Sequence, residues 1–387
     1  MENDPVPSAR PAQLFRIVHR WIAIGLMVLL IPISLSGAFL VWHDEIDAIV
    51  HPARYATSGA NVALPPSAYL ANATAALERG VRPSSIRLPA GTGQPVLVSA
   101  RGGPRAEGGP PRLFTVYLDP PSGRVLDVVD VRNSLVGVVH RFHENLTIPE
   151  YSGRQIAGWA GVGMLILSLT GLWVWWPRNG AFLIGLRWRR SPATTANIHH
   201  LVGFWISLPL ALVSATGIYL AFPQTARNAM SSIAAMAPQG GRPGAQSARE
   251  TASTPDQALA AALAAEPGTS AAAIFMAAPD PRGGDAAAPV WRIQLRRSAG
   301  AGSVTVLVDD GNRAVVRAPD PLAGDRAAQM IRWIHEGEAG GPLWRLAVFL
   351  CGLMPSVLGV TGLVVWLRGR RQRRLVETGN AVPQAAE

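Results

Sequence analysis

The chain contains no lysine and a single cysteine, Cys351. One thiol cannot build a disulfide framework, a cysteine-ligated iron–sulfur cluster or a Cys-x-x-Cys-His haem attachment. Charged residues make up only 16% of the chain, against roughly 25% in soluble domains. No nucleophile triad, phosphate loop or dinucleotide fingerprint is present. The glycine pairs that come nearest, Gly158-Trp-Ala-Gly161 and Gly359-Val-Thr-Gly362, lie inside apolar runs. No side chain is therefore assigned as a catalytic acid, base or nucleophile.

What the 387 residues do contain is four apolar runs, Trp21 to Trp42, Ile156 to Trp176, Leu201 to Phe222 and Leu343 to Leu367, without an acid among them. Each exceeds the ~20 residues of helix that cross a bilayer. Three hold a proline (Pro32, Pro209, Pro355), which membrane helices tolerate. Trp42, Trp173, Trp175, Trp176, Phe222 and Trp366 gather at the ends as an interfacial belt. Arginine placement sets the orientation. The N-terminus, the loop after the second run and the C-terminal tail together hold 12 Arg against four acids, whereas the two long loops hold 22 Arg against 21 acids, the remaining Arg345 lying inside the fourth run. Both termini are therefore expected in the cytoplasm and both long loops outside it. The net charge of +10 is then a topology signal, not a nucleic-acid footprint. The first run is long for a signal-peptide core and lacks a clear cleavage site, so it reads as a retained anchor.

The runs repeat in register. His19 precedes Gly37 by 18 residues and His199 precedes Gly217 by 18; Arg154 precedes Gly171 by 17 and Arg345 precedes Gly362 by 17. Every run carries a hydroxyl–glycine pair: Ser36-Gly37, Thr170-Gly171, Thr216-Gly217 and Thr361-Gly362. Small residues at such points let helix backbones approach closely. The long loops repeat as well. Helical Pro66 to Arg79 precedes strand-like Ser85 to Leu88, Pro95 to Ser99, Leu113 to Leu118 and Val125 to Val131. Helical Asp256 to Ala265 precedes Ala272 to Met276, Val290 to Leu295, Val304 to Val308 and Ala314 to Arg317, with a hairpin turn at Asp310-Gly311. The Gly/Pro-rich stretches 101–111 and 238–248 read as flexible connections. The expected fold is a membrane four-span helical bundle made of two parallel repeats, each with an exported α+β domain, related by a pseudo-two-fold axis along the membrane normal.

Histidines carry the candidate chemistry. His19 and His199 share one register, and His143 and His335 lie 11 and 10 residues before Arg154 and Arg345. Matched imidazoles facing each other across a pseudo-two-fold axis are what a planar haem iron takes as axial ligands. His19 with His199 would form one site near the cytoplasmic face, and His143 with His335 another at the exported face. Zinc would want further carboxylates or thiolates, and a proton relay would want acids inside the runs. His140, three residues before His143, competes for the exported site, and His200 stands one residue out of register. His43 has no counterpart, since position 223 is Pro, and His51 reads as loop surface. Arg20, Arg141, Arg154 and Arg345 lie beside the sites, as haem-propionate partners or as interfacial anchors.

With VHRW opening the first run, HHLVG opening the third, IHEGEAGG before the fourth and TGLWVWWPR ending the second, the chain resembles the PepSY-associated transmembrane family from about Arg16 to Arg374. The resemblance implies this division: cytoplasmic N-terminus 1–15, span 16–42, periplasmic PepSY-like domain 43–153, span 154–177, cytoplasmic loop 178–197, span 198–222, second PepSY-like domain 223–341, span 342–367 and cytoplasmic tail 368–387. Members include dihaem ferric-siderophore reductases of the bacterial inner membrane. That implies two non-covalent b-type haems and electrons from a cytoplasmic donor or the quinone pool. The acceptor would be periplasmic, ferric iron in a siderophore, with membrane lipid as the surrounding partner and no nucleic acid. Two departures bear on the ligands: His200 stands where an Arg is common, and HRFHE at 140–144 offers two histidines. The alternative class is a membrane-anchored PepSY sensor, inhibitor or binding module without redox activity.

Overall fold

The computed structural model describes residues 11–104, 110–148, 150–176, 191–237, 251–279, 289–297 and 302–379. In chain order its helices are α1 (Pro11–Val41), α2 (His43–Val50), α3 (Pro66–Ala76), α4 (Leu135–Asn145), α5 (Glu150–Trp175), α6 (Thr194–Ala221), α7 (Pro223–Ser231), α8 (Pro255–Ala265), α9 (Ala323–Glu336) and α10 (Gly341–Gly379). Its strands are β1 (Arg82–Arg87), β2 (Val96–Pro104), β3 (Pro111–Leu118), β4 (Val125–Asp130), β5 (Thr269–Pro279), β6 (Pro289–Arg297), β7 (Ser303–Asp309) and β8 (Val315–Arg317). Two units emerge: a helical one made of Met1–Trp42, Val139–Ala235 and Ala323–Glu387, and a sheet unit made of His43–Val138 and Met236–Leu322.

In the helical unit, α1, α5, α6 and α10 contain the four segments long and apolar enough to cross a membrane. They close a ring in which α1 touches α5 and α10, and α6 touches α5 and α10. Each contributes to one core of Leu30, Ala160, Met164, Ile206, Leu210 and Cys351. The solvent preference is inverted relative to a soluble bundle. Val28, Trp159 and Leu208 are 82%, 65% and 73% exposed, while Ser36, Ser168, Thr170, Ser207, Thr216 and Thr361 are buried. Such an arrangement suits a medium that offers no hydrogen bonds, where apolar side chains face lipid and hydroxyls turn inward to carbonyls. Close approach of α1 and α10 depends on Gly352: a Cβ there would stand 2.7 Å from the Ser34 carbonyl oxygen and 2.6 Å from the Ala38 Cβ. The helices outrun the apolar runs. α10 carries Arg368 to Arg374 as continued helix, and α1 already includes Arg16 and Arg20. The arginines of the loop after α5 (Arg178, Arg187, Arg189, Arg190) lie outside the described residues.

The sheet unit is a single eight-stranded antiparallel sheet in the order β4-β3-β2-β1-β5-β6-β7-β8. The loops, read from the sequence as two α+β domains, are thus joined through β1 and β5, with Ser85, Ile86 and Arg87 opposite Phe275, Ile274 and Ala273. Alternation decides the faces. Ile86, Val96, Val98, Val116 and Leu118 pack with Tyr69 and Ala73 of α3, and Ile274, Trp291, Ile293, Leu295, Val304, Val306 and Val308 pack with Ala258 and Ala262 of α8. α3 and α8 meet where Ser67 donates its backbone N–H to Asp256 at 2.9 Å. A Thr254–Gln257 capping box starts α8, the kind of cap worth about 1 kcal/mol.

A buried aspartate stands just past β3 and just past β7, and each fastens the irregular segment that leads into a helix. Asp119 accepts from Ser58 N–H at 2.6 Å and Ser58 Oγ at 2.7 Å. Asp310 accepts from Ala252 and Ser253 N–H and from the Trp291 indole at 2.7, 3.0 and 2.8 Å. Burial raises the Asp119 carboxyl, but hydrogen bonds from Ser122 and Ser58 outweigh it and hold the group at about 2. Of the stretches expected to be flexible, Arg101 to Pro104 belong to β2 and pair with β3. Residues 105–109 and 238–248 lie outside the described residues.

Candidate functional site: two histidine pairs in the helical unit

All four register-matched histidines fall in the helical unit. His143 and His335 sit on α4 and α9, in segments the sequence assigns to the exported domains, yet they group with the spans. The ring centres of His19 and His199 lie 6.5 Å apart at an interplanar angle of 85°. Those of His143 and His335 lie 6.1 Å apart at 42°. His19 and Gly37, which mark the two levels on α1, are 18 residues apart, or about 27 Å of helix, so the pairs stand at opposite ends of the bundle.

Each imidazole is seated on one hydroxyl–glycine pair of a neighbouring span. His19 Nδ1 lies 3.0 Å from Thr170 Oγ1, and His199 Nδ1 lies 3.1 Å from Thr361 Oγ1. His143 Nδ1 is 3.2 Å from Ser36 Oγ and 2.9 Å from the Ile33 carbonyl. His335 Nδ1 is 3.2 Å from Thr216 Oγ1 and 3.0 Å from the Val213 carbonyl. The following glycine makes room for the ring. A Cβ on Gly37, Gly171, Gly217 or Gly362 would stand 2.9, 3.1, 2.9 or 3.1 Å from the Cε1 of His143, His19, His335 or His199 respectively.

Donor accounting fixes the tautomer. Thr170 and Thr361 donate their hydroxyl protons to the Ile166 and Val357 carbonyls at 2.6 and 2.7 Å. Their oxygens can then only accept from Nδ1–H. The Ile33 and Val213 carbonyls can only accept as well, so all four rings carry the proton on Nδ1 and present a bare lone pair on Nε2. Burial, together with the neighbouring His335, pushes His143 down to about 4. Burial also lowers His335, so this pair is neutral at ordinary pH.

The residues fit a bis-imidazole iron. A metal–imidazole bond is about 2 Å long, so two rings sharing one ion have centres about 6 Å apart once half a ring is added on each side. Rotation about the shared axis leaves the interplanar angle free. Among the described residues no group of three or more His, Cys, Asp or Glu could hold a bare metal ion. The Nε atoms of Arg20 and Arg141, beside the two sites in sequence, are buried with no hydrogen-bond partner among the described residues, as suits guanidinium groups awaiting an acidic substituent. The other two arginines have protein partners. Arg154 is paired with Glu144. Arg345 donates to the Val41 carbonyl at 3.1 and 2.8 Å and stacks 4.1 Å above the Trp42 ring.

The competing histidines are placed elsewhere. His140 is exposed on α4 and stands 3.9 Å from Glu144. His200 sits beside His199, ring centres 6.4 Å apart. His43 lies against Asp44 and His51 against Asp47. What sequence reasoning missed is the role of Ser36, Thr170, Thr216 and Thr361. The hydroxyl–glycine repeat was visible, but it read as helix packing alone.

The model of the PepSY-associated TM region matches residues 16–369. The chain belongs to that family and is a membrane protein whose spans contact lipid. A search of curated proteins finds no match.

Proposed function

We propose that this protein carries electrons across the bacterial inner membrane, from a cytoplasmic or quinone donor to a periplasmic acceptor, and that the acceptor is ferric iron held by a siderophore. The supporting observation is the set of four Nδ1-protonated histidines, paired at 6.5 and 6.1 Å at opposite ends of one bundle. Two non-covalent b-type haems, one at each pair, would supply one-electron carriers.

The chain's own residues do the rest. His19 and His199 would hold one haem and His143 and His335 the other, with Arg20 and Arg141 placed for propionates. The spans that carry the sites close on the apolar Leu30, Met164 and Leu210 core. Two parallel repeats, each contributing one span pair and half of the PepSY-like sheet, account for the pairing of His19 with His199 and of His143 with His335. Iron(II) binds oxygen-donor chelators far more weakly than iron(III), so reduction frees the metal without any acid or base from the protein. Arginine placement in the sequence supports a cytoplasmic location for both termini.

The test is vectorial. The purified protein is reconstituted in vesicles with reductant sealed inside, and a ferric hydroxamate chelate is added outside with an iron(II) indicator. Indicator colour should form only when the protein is present and should fail with His19→Ala or His335→Ala. Colour formation indifferent to both substitutions would refute the proposal. A membrane-anchored binding module would have no use for matched, tautomer-locked imidazoles at both ends of the bundle.

A further inference from the structure

The four hydroxyls can do more than let helices approach. A serine or threonine in an apolar helix ordinarily returns its proton to its own carbonyl one turn back and ends there. Here Thr170, Thr361, Ser36 and Thr216 do so, bonding the carbonyls of Ile166, Val357, Ile33 and Val213 at 2.6, 2.7, 2.7 and 2.9 Å. The oxygen left over faces an imidazole from another helix in all four cases. Ser168 and Ser207 show the ordinary behaviour: each bonds its own helix, to Met164 and Gly203, with no histidine bond.

We propose that Ser36, Thr170, Thr216 and Thr361 are positioning residues that hold the Nδ1–H of His143, His19, His335 and His199, fixing Nε2 as the ligating nitrogen and tuning its basicity. The inference rests on the haem reading of the site. An acceptor on Nδ1–H makes the ring a stronger donor through Nε2 and favours the ferric state, and losing such a partner typically costs 10–100-fold in affinity. At the His19 and His199 level the hydroxyl is the close acceptor at 3.0 and 3.1 Å, with the Leu167 and Leu358 carbonyls as weaker backbone partners. At the other level the Ile33 and Val213 carbonyls lie closer still, at 2.9 and 3.0 Å. Removing a hydroxyl should therefore act more strongly at the first level than at the second.

The full chain in detergent is compared as wild type, His19→Ala, Thr170→Val, Thr170→Ser, Thr216→Val and Ser168→Ala. Haemin is titrated into apoprotein and the potential of each haem is measured. Thr170→Val keeps the shape and removes the acceptor. It should weaken haemin binding at one of two sites by about tenfold or more and raise that haem's midpoint potential, leaving the other unchanged. Thr170→Ser should restore both values, Thr216→Val should shift less, and Ser168→Ala should change nothing. Wild-type affinity and potentials in Thr170→Val, while His19→Ala loses the same haem, would overturn the positioning role and leave the haem reading standing. Apoprotein that takes up no haemin in any form would overturn both.

Discussion

Replacing Gly37 by alanine separates a histidine cradle from ordinary helix packing. The new methyl would stand 2.9 Å from Cε1 of His143, whereas carbon atoms settle at about 3.5–4.0 Å, so the ring must retreat by about 0.6–1 Å. A metal–nitrogen bond tolerates about 0.2 Å. The displacement is several times that tolerance, and the iron at this level should lose His143. The helix itself should not suffer, since alanine is favoured over glycine in a helix by about 0.8–1.0 kcal/mol. The expected result is a protein of wild-type helicity and thermal stability that carries one haem instead of two by pyridine haemochrome assay. Gly217→Ala, whose methyl would meet His335 at 2.9 Å, should lose the same haem, and Gly25→Ala on the same helix α1, with nothing within 4 Å, should keep both. Two intact six-coordinate haems in Gly37→Ala would refute the reasoning.

Further outcomes follow from the same geometry. His143→Ala and His335→Ala should each abolish one low-spin electron paramagnetic resonance signal that His140→Ala retains. His19→Ala and His199→Ala should abolish the other, which His200→Ala retains. Asp310→Ala strands two buried donors, the Ser253 N–H and the Trp291 indole, and the part-buried Ala252 N–H, and should destabilise the sheet by about 3 kcal/mol, seen as faster hydrogen exchange across residues 289–297 and 302–310. Because Asp119 is held at about 2 against an ordinary 3.8, its contribution is full above the unfolded value and is lost as pH falls toward about 2. Asp119→Asn should remove that acid dependence from the sheet's hydrogen exchange. A reporter fused after Arg190 should report the cytoplasm and one within 101–110 the periplasm.

The spans and the histidine registers were legible because both are local. Twenty apolar residues declare a membrane helix by length alone, and a spacing of 18 residues survives in the sequence whatever the packing. The joining of the loops into one sheet was not legible. It depends on Ile86 lying opposite Ile274, and no local pattern encodes which edge strand meets which across nearly two hundred residues. The choice between His140 and His143 was open for a related reason. Both lie on α4, and only the packing turns His143 toward Gly37 while leaving His140 exposed beside Glu144. The arginines show how sequence proximity misleads. Arg345 stands ten residues after His335, yet its guanidinium is taken by Val41 and Trp42, partners about 300 residues earlier.

The central claim is that the two histidine pairs hold haem, and optical spectroscopy of the purified, intact chain tests it most directly. The reduced-minus-oxidised spectrum should show the α and Soret bands of b-type haem, and the haemochrome assay should give two per chain, falling to one in His143→Ala and in His19→Ala. A colourless protein, or a single haem that survives substitution at each of positions 19, 143, 199 and 335, would contradict the account.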